Sequence, residues 1–152
     1  MPITSRQKLL VQQSFAKVVP IADTAAEIFY AKLFEYDPLL RSLFKKSMKE
    51  QGKMLMATLN VAVKSLDDIN GLVVVLQKLA DRHVGYGVRV DDYTPVGNAL
   101  LYALKKGLGN DFTAEVRNAW IEVYKTIADV MRSHAYSNYD ASTYKNTKSY
   151  RH

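Results

Sequence analysis

The chain contains no cysteine, which excludes disulfide scaffolds, thiolate zinc sites, iron–sulfur centres and cysteine nucleophiles. Proline and glycine are scarce, at 4 and 7 of 152 residues, and neither forms a linker-like cluster. The longest aliphatic block, Leu72 to Leu76, is far too short to cross a bilayer. The opening residues, MPITSRQKLLVQQSF, lack a sustained apolar core of signal-peptide length. A cytoplasmic protein without a membrane partner is therefore expected. Its bulk composition, 48% hydrophobic and 24% charged, is that of a soluble globular domain. A chain of this length makes one domain. It buries about 68–70% of its unfolded surface, enough for a core without covalent staples. The net charge of +6 permits an anionic partner without requiring one.

Apolar spacing predicts helices throughout. Thr4 and Gln7 have the spacing of a capping box, opening a helix over 5–19. A second helix over 21–36 carries Ala25, Phe29, Leu33 and Phe34 on one side and stops at Pro38, because proline cannot continue a hydrogen-bonded helix interior. A short turn, Leu39–Phe44, leads into a basic loop with Lys45, Lys46 and Lys49. Further helices are expected over 50–66, over 71–84 ending at Gly85 and Gly87, and from Asp91-Asp92-Tyr93-Thr94-Pro95 to Gly107 and Gly109. The acids and proline suit a helix start, and the glycines suit helix ends. The last helix, 112–135, is capped by Asp111 or Thr113 and has Val116, Trp120, Val123, Tyr124, Ile127 and Val130 as its apolar stripe. Residues 136–152 hold four tyrosines but no aliphatic side chain larger than Ala141. They are expected to form a mobile polar tail or a crystal-ordered extension. Residues 138–152 lack the apolar residues needed to dock on a core and are expected to be dispensable. The fold class is all-α.

Of the three histidines, His152 is terminal and His134 ends the last helix, so both are expected in solvent. His83 differs, since Ala80, Leu79, Leu76 and Leu72 place it on the apolar face of its helix. Alone, it reads as a satisfied helix-end residue or as a metal ligand. A neutral imidazole facing an apolar cavity is also what a haem iron requires. Gln51, Leu55, Thr58 and Ala62 recur at helical spacing, and Tyr30 adjoins Phe29 and Leu33. Taken singly, these polar residues read as solvated helix positions.

Their order along the chain is more specific. Phe29-Tyr30, Asp37-Pro38, Leu43-Phe44, Gln51, Leu55, Arg82-His83, Tyr93 and Trp120 together resemble a bacterial single-domain globin. The chain is similar to the haem domain of flavohaemoglobins and to Vitreoscilla-type haemoglobin over residues 5–135, including "IFYAKLFEYDPLLRSLF" and "LADRHVGYGV". The resemblance implies a globin fold in a domain spanning 1–135, with 136–152 as the tail. It implies haem b as cofactor, with His83 as the iron ligand and Phe44 as the aromatic wedge on the haem. Tyr30 and Gln51 become the distal hydrogen-bonding pair, with Leu55 as the apolar residue over the ligand. Tyr93 is expected to orient the His83 ring through a hydrogen bond, directly or through neighbours. This sequence departs from the flavohaemoglobin pattern in two places. Residues Val130 to Ala135 contain no glutamate, and Met54 stands where a basic residue often precedes the position of Leu55.

The function implied is tight, reversible binding of dioxygen, with CO and NO as further ligands, for storage, scavenging or sensing. A rival is nitric oxide dioxygenation driven by an external reductase, since no flavin or nicotinamide domain is expected within this length. A haem-free helical module for nucleic acid or membrane is a third reading. Its basis is Arg6, Lys8 and Lys17, which have no acid among residues 1–20. Elsewhere acids intersperse the cations, so no nucleic-acid partner is expected.

Overall fold

The computed structural model describes residues 3–145, and its first helix begins on a reciprocal cap. The Thr4 hydroxyl accepts the Gln7 amide N–H at 3.0 Å, while the Gln7 side-chain oxygen accepts the Thr4 N–H at 2.9 Å. This opens α1 (Ser5–Val18). Helix α2 (Ala22–Tyr36) stops before Pro38, and a 3₁₀ turn, Pro38–Leu43, follows. Ser47 caps α3 (Met48–Lys64) by accepting the Glu50 N–H at 3.2 Å. Asp68 caps α4 (Ile69–Tyr86) through the Gly71 N–H at 3.1 Å. Both start two residues earlier than their spacing predicts, because a side-chain cap sits ahead of the first apolar residue. Gly87 ends α4 at φ 94°, in the left-handed region that glycine enters without steric cost. A 3₁₀ turn, Val90–Asp92, leads into α5 (Tyr93–Leu108). Thr113, the second of the two expected caps, opens α6 (Ala114–Ala135) by accepting the Val116 N–H.

These helices pack around one core. α2 lies most extensively on α5, α4 and α1 lie on α6, and α3 lies on α2. Leu33, Leu66, Leu72, Leu76 and Trp120 are among its fully buried side chains, each stabilising the fold by about 1.5–3 kcal/mol relative to exposure. The buried Trp120 indole donates to the Ser14 hydroxyl at 2.9 Å, and that hydroxyl donates to the Leu10 carbonyl at 2.7 Å. A Cβ at Gly97 would meet the Tyr124 ring at 2.6 Å, so glycine there lets α5 and α6 approach closely. Among the described residues, α3 and α4 share no extensive interface, and no helix is long and apolar enough to cross a membrane.

The basic N-terminal stretch is offset from a distance. Arg6 forks onto both Glu115 carboxylate oxygens at 2.6 Å, and Lys17 lies 3.3 Å from Asp111. His134 is exposed, as expected, and from the surface it also pairs its Nε2 with Asp81 at 3.0 Å, linking α6 to α4. His152 lies outside the described residues.

The expectation of an undocked tail is corrected over residues 136–145. The Tyr136 hydroxyl donates to the Val88 carbonyl at 2.5 Å, Tyr139 donates to Asp129 at 2.6 Å, and Tyr144 donates to Asp91. A tyrosine brings apolar ring area and a hydroxyl that finds a partner, so docking here needs no aliphatic side chain. The rest of the expected tail, 146–152, lies outside the described residues.

Candidate functional site

His83 occupies the last turn of α4, one turn beyond the half-buried Leu79 and the buried Ala80, and is half-buried itself. Its Nδ1 lies 2.9 Å from the Leu79 carbonyl. A carbonyl can only accept, so Nδ1 carries the proton and Nε2 keeps its lone pair. Burial pushes the His83 pKa below its ordinary value, partly opposed by the Leu79 bond and reinforced by the Arg82 charge. The ring is therefore a neutral imidazole at pH 7. Tyr93 lies nearly parallel to it, with ring centroids 6.3 Å apart and planes 19° apart. Among the described residues, no direct hydrogen bond joins Tyr93 to His83. A helical side chain reaches back toward the carbonyl four residues earlier, and at His83 that acceptor, Leu79, is the nearer one.

Tyr30 sits on α2 at 6% exposure, inside an aromatic cluster. Its ring meets Phe29 at 4.9 Å and Phe44 at 5.3 Å edge-on, and stacks on Phe34 at 5.9 Å. Phe44 also meets Phe34 edge-on at 5.5 Å, and the Arg41 guanidinium lies 5.2 Å over Phe34. Burial pushes the Tyr30 phenol up to about 12, so it remains a neutral donor. Its hydroxyl donates to the backbone carbonyl of Gln51 at 3.1 Å. The expected distal pair is thus brought together, but through the Gln51 main chain. Among the described residues, the Gln51 amide side chain makes no hydrogen bond, and Gln51 is half-buried in the first turn of α3.

Leu55, one turn further along α3, lines a cavity of about 20 Å³ together with Phe15, Phe29, Leu59 and Leu104. The cavity walls are apolar, and such spaces stay dry. Apolar side chains are incompletely covered on both α3 and α4, with Met54 at 43% and Val84 at 45% exposure. Leu43, just before Phe44, lies 3.4 Å from where a Gly87 Cβ would stand. That contact joins the turn after α2 to the end of α4.

The reading of the sequence passed over several residues at this site. Phe34 was legible as an apolar position but not as part of the Tyr30 cage. Arg132, only 8% exposed, had no signal in the sequence beyond being a cation on the last helix. Its guanidinium lies 5.4 Å over the Tyr93 ring and donates to the Val90 carbonyl at 2.9 Å. Tyr93 is buried at 5% exposure, and the Tyr124 hydroxyl donates to its carbonyl at 2.5 Å. Burial raises the Tyr93 phenol well above the usual tyrosine range, so it is neutral.

A family model described as Globin matches residues 27–131. The flavohemoprotein of Xylella fastidiosa is 31% identical over 81% of this chain, which covers 32% of that protein's length. The chain thus spans about a third of the flavohemoproteins it matches. A neuroglobin of Tetraodon nigroviridis is 29% identical over 85% of this chain and 90% of its own length. Among solved structures, a hexacoordinated heme protein from an anhydrobiotic tardigrade superposes with a TM-score of 0.80 at 18% identity, covering 88% of this chain and 96% of that one. An engineered carbene transferase, derived from a candidate nitric oxide dioxygenase of Rhodothermus marinus, superposes with a TM-score of 0.79 at 25% identity, covering 89% and 94%. With the match extending over most of the helical fold, the chain belongs to the globin family.

Proposed function

We propose that this globin holds haem b through His83 and uses it to bind dioxygen, and other diatomic gases, tightly and reversibly. The observation that carries this reading is the state of His83. Its Nδ1 proton is spent on Leu79, which leaves Nε2 as the neutral, oriented donor that an iron ligand must be. The surroundings fit the group as well. α3 and α4 belong to separate packing partners, and their incompletely covered apolar residues, together with the half-buried Phe44 on the Tyr30 cluster, suit a flat apolar macrocycle. Haem, when bound, supplies an iron with a coordination position open to a small gas.

The chain's own residues set how long such a gas stays. Leu55, on an apolar wall with Phe29 and Leu59, would keep water away from a gas bound over it. Tyr30 offers a neutral phenol O–H whose present bond, at 3.1 Å, is longer than the usual O–H···O distance of about 2.7–2.8 Å. A partner carrying negative charge competes well for that proton in apolar surroundings. Gln51 supplies an amide as the second donor. Two donors of this kind favour slow release, which suits storage, scavenging or sensing.

A second reading, conversion of nitric oxide and dioxygen to nitrate, takes one electron per turnover from an external reductase. It is supported by the similarity to flavohemoproteins and to the Rhodothermus chain. Freshly purified protein tests the two together. A Soret band with slow oxygen release, and no sustained NADH consumption when nitric oxide and purified reductase are added, is expected for the first. Sustained NADH consumption under those conditions selects the second, and a missing Soret band rejects both.

A further inference from the structure

We propose that Arg132 is a positioning residue for His83, acting through Tyr93, and that Tyr139 and Tyr144 hold it in place. The inference rests on the reading of His83 as the haem ligand. Arg132 lies in the last turn of α6 and is nearly buried, at 8% exposure. Its Nε donates to the Val90 carbonyl at 2.9 Å, and its Nη2 donates to the Thr94 hydroxyl at 3.2 Å. Those acceptors flank Tyr93 on either side. One rigid guanidinium therefore spans the turn that delivers Tyr93, and covers the Tyr93 ring at 5.4 Å. The Tyr93 ring is also the neighbour of the His83 ring, in the near-parallel arrangement described above.

Arg132 has in turn been taken out of water by the segment after α6. Tyr144 lies 4.7 Å and Tyr139 5.9 Å from the guanidinium carbon. Their hydroxyls are tied to Asp91 and Asp129, and their rings meet at 5.2 Å. A buried cation is costly unless its donors and its charge are satisfied. Here two acceptors and three electron-rich ring faces do so. A guanidinium holds two acceptors in a fixed fork, which an ammonium cannot reproduce. The consequence reaches His83 because the hydrogen bond to Leu79, the one it makes among the described residues, fixes the ring at a single atom. Rotation about that bond is limited by the rings beside it, Tyr86 at 5.8 Å on the same helix and Tyr93 at 6.3 Å from α5. Release of Arg132 frees the Val90–Thr94 turn, then the Tyr93 ring, then the tilt of His83.

The test uses haem-loaded protein and two readouts that do not depend on activity. The first is the iron–histidine stretching band of the ferrous, gas-free protein. The second is hydrogen exchange of the Asp92 amide, which is bonded to the Arg89 carbonyl at 3.0 Å inside the pinned turn. Arg132→Met is expected to broaden and shift the band and to speed Asp92 exchange at least tenfold, equivalent to about 1.4 kcal/mol. Arg132→Lys should shift both less. A chain ending at Ser137 keeps Arg132 but loses Tyr139 and Tyr144, and should move both readouts in the same sense. That variant decides the matter if Arg132→Met does not fold. Val116→Ala, a cavity in α6 far from the cage, controls for general destabilisation and should leave the band in place. An unchanged band in Arg132→Met and in the shortened chain, or an equal shift in Val116→Ala, overturns this inference alone. A wild-type protein with haem but no iron–histidine band overturns the ligand assignment, and this inference with it.

Discussion

Replacing Tyr30 by phenylalanine probes the distal donor with little else disturbed. The ring stays among Phe29, Phe34 and Phe44, so little cavity forms and the aromatic contacts persist. Only the hydroxyl goes. A net hydrogen bond between neutral groups is worth about 0.5–1.5 kcal/mol, but at Tyr30 this is not the whole gain available to a bound gas. The hydroxyl already donates to the Gln51 carbonyl, and turning to a gas gives that bond up. Its 3.1 Å length marks it as weak, so the balance stays favourable at about 1 kcal/mol. Oxygen release from Tyr30→Phe should accelerate about fivefold, since 1.4 kcal/mol corresponds to a factor of ten. Carbon monoxide, which carries less negative charge when bound, should be released at nearly its original rate. Stopped-flow displacement measures both. Equal acceleration of the two gases would show steric access rather than hydrogen bonding, and would refute the reasoning.

Gln51→Leu should speed oxygen release in the same direction but less, because a glutamine has more rotamers to freeze than a tyrosine; the same displacement assay checks it. Ser14→Ala leaves the Trp120 indole N–H without its buried acceptor and should lower stability by about 1–3 kcal/mol in denaturant unfolding. Gly97→Ala forces a Cβ against Tyr124. A loss of about 1–3 kcal/mol, typical of overpacking, is expected in the same measurement. The raised Tyr30 pKa gives an alkaline limit: the folded state keeps the proton up to about 12, whereas the unfolded chain loses it near the ordinary tyrosine value of 10.0. This contribution is fully present below pH 10 and is lost as pH rises toward 12, at about 1.4 kcal/mol per pH unit. Denaturant titrations in Tyr30→Phe should show a shallower decline over that window.

What was legible in the sequence was what is local in the fold. The Thr4–Gln7 cap, the stop at Pro38 and the left-handed Gly87 each depend on residues within one turn, and each is found where the pattern places it. The starts of α3 and α4 were misjudged because Ser47 and Asp68 act ahead of the apolar stripe. The order of site residues pointed to the family, and the family match holds at overall identities near 30%. Hydrogen-bond partners were less legible. Tyr30 meets the main chain of Gln51, and an acceptor that every residue carries leaves no mark in a sequence. The docking of Tyr139 and Tyr144 depends on Asp129, Asp91 and Arg132, which only the packing of α6 against the turn before α5 brings together. An aromatic, polar tail has the composition of a free segment until such partners are known.

The claim on which everything else depends is that His83 is the iron ligand. Haem titrated into His83→Ala, monitored by its Soret band, tests it most directly. The account predicts that the wild-type protein saturates sharply at about one haem per chain. The variant should bind haem weakly or not at all, and added imidazole should restore the wild-type ferrous spectrum. A variant that takes up haem as tightly as the wild type, with an unchanged ferrous spectrum and no response to imidazole, would contradict the account at its centre.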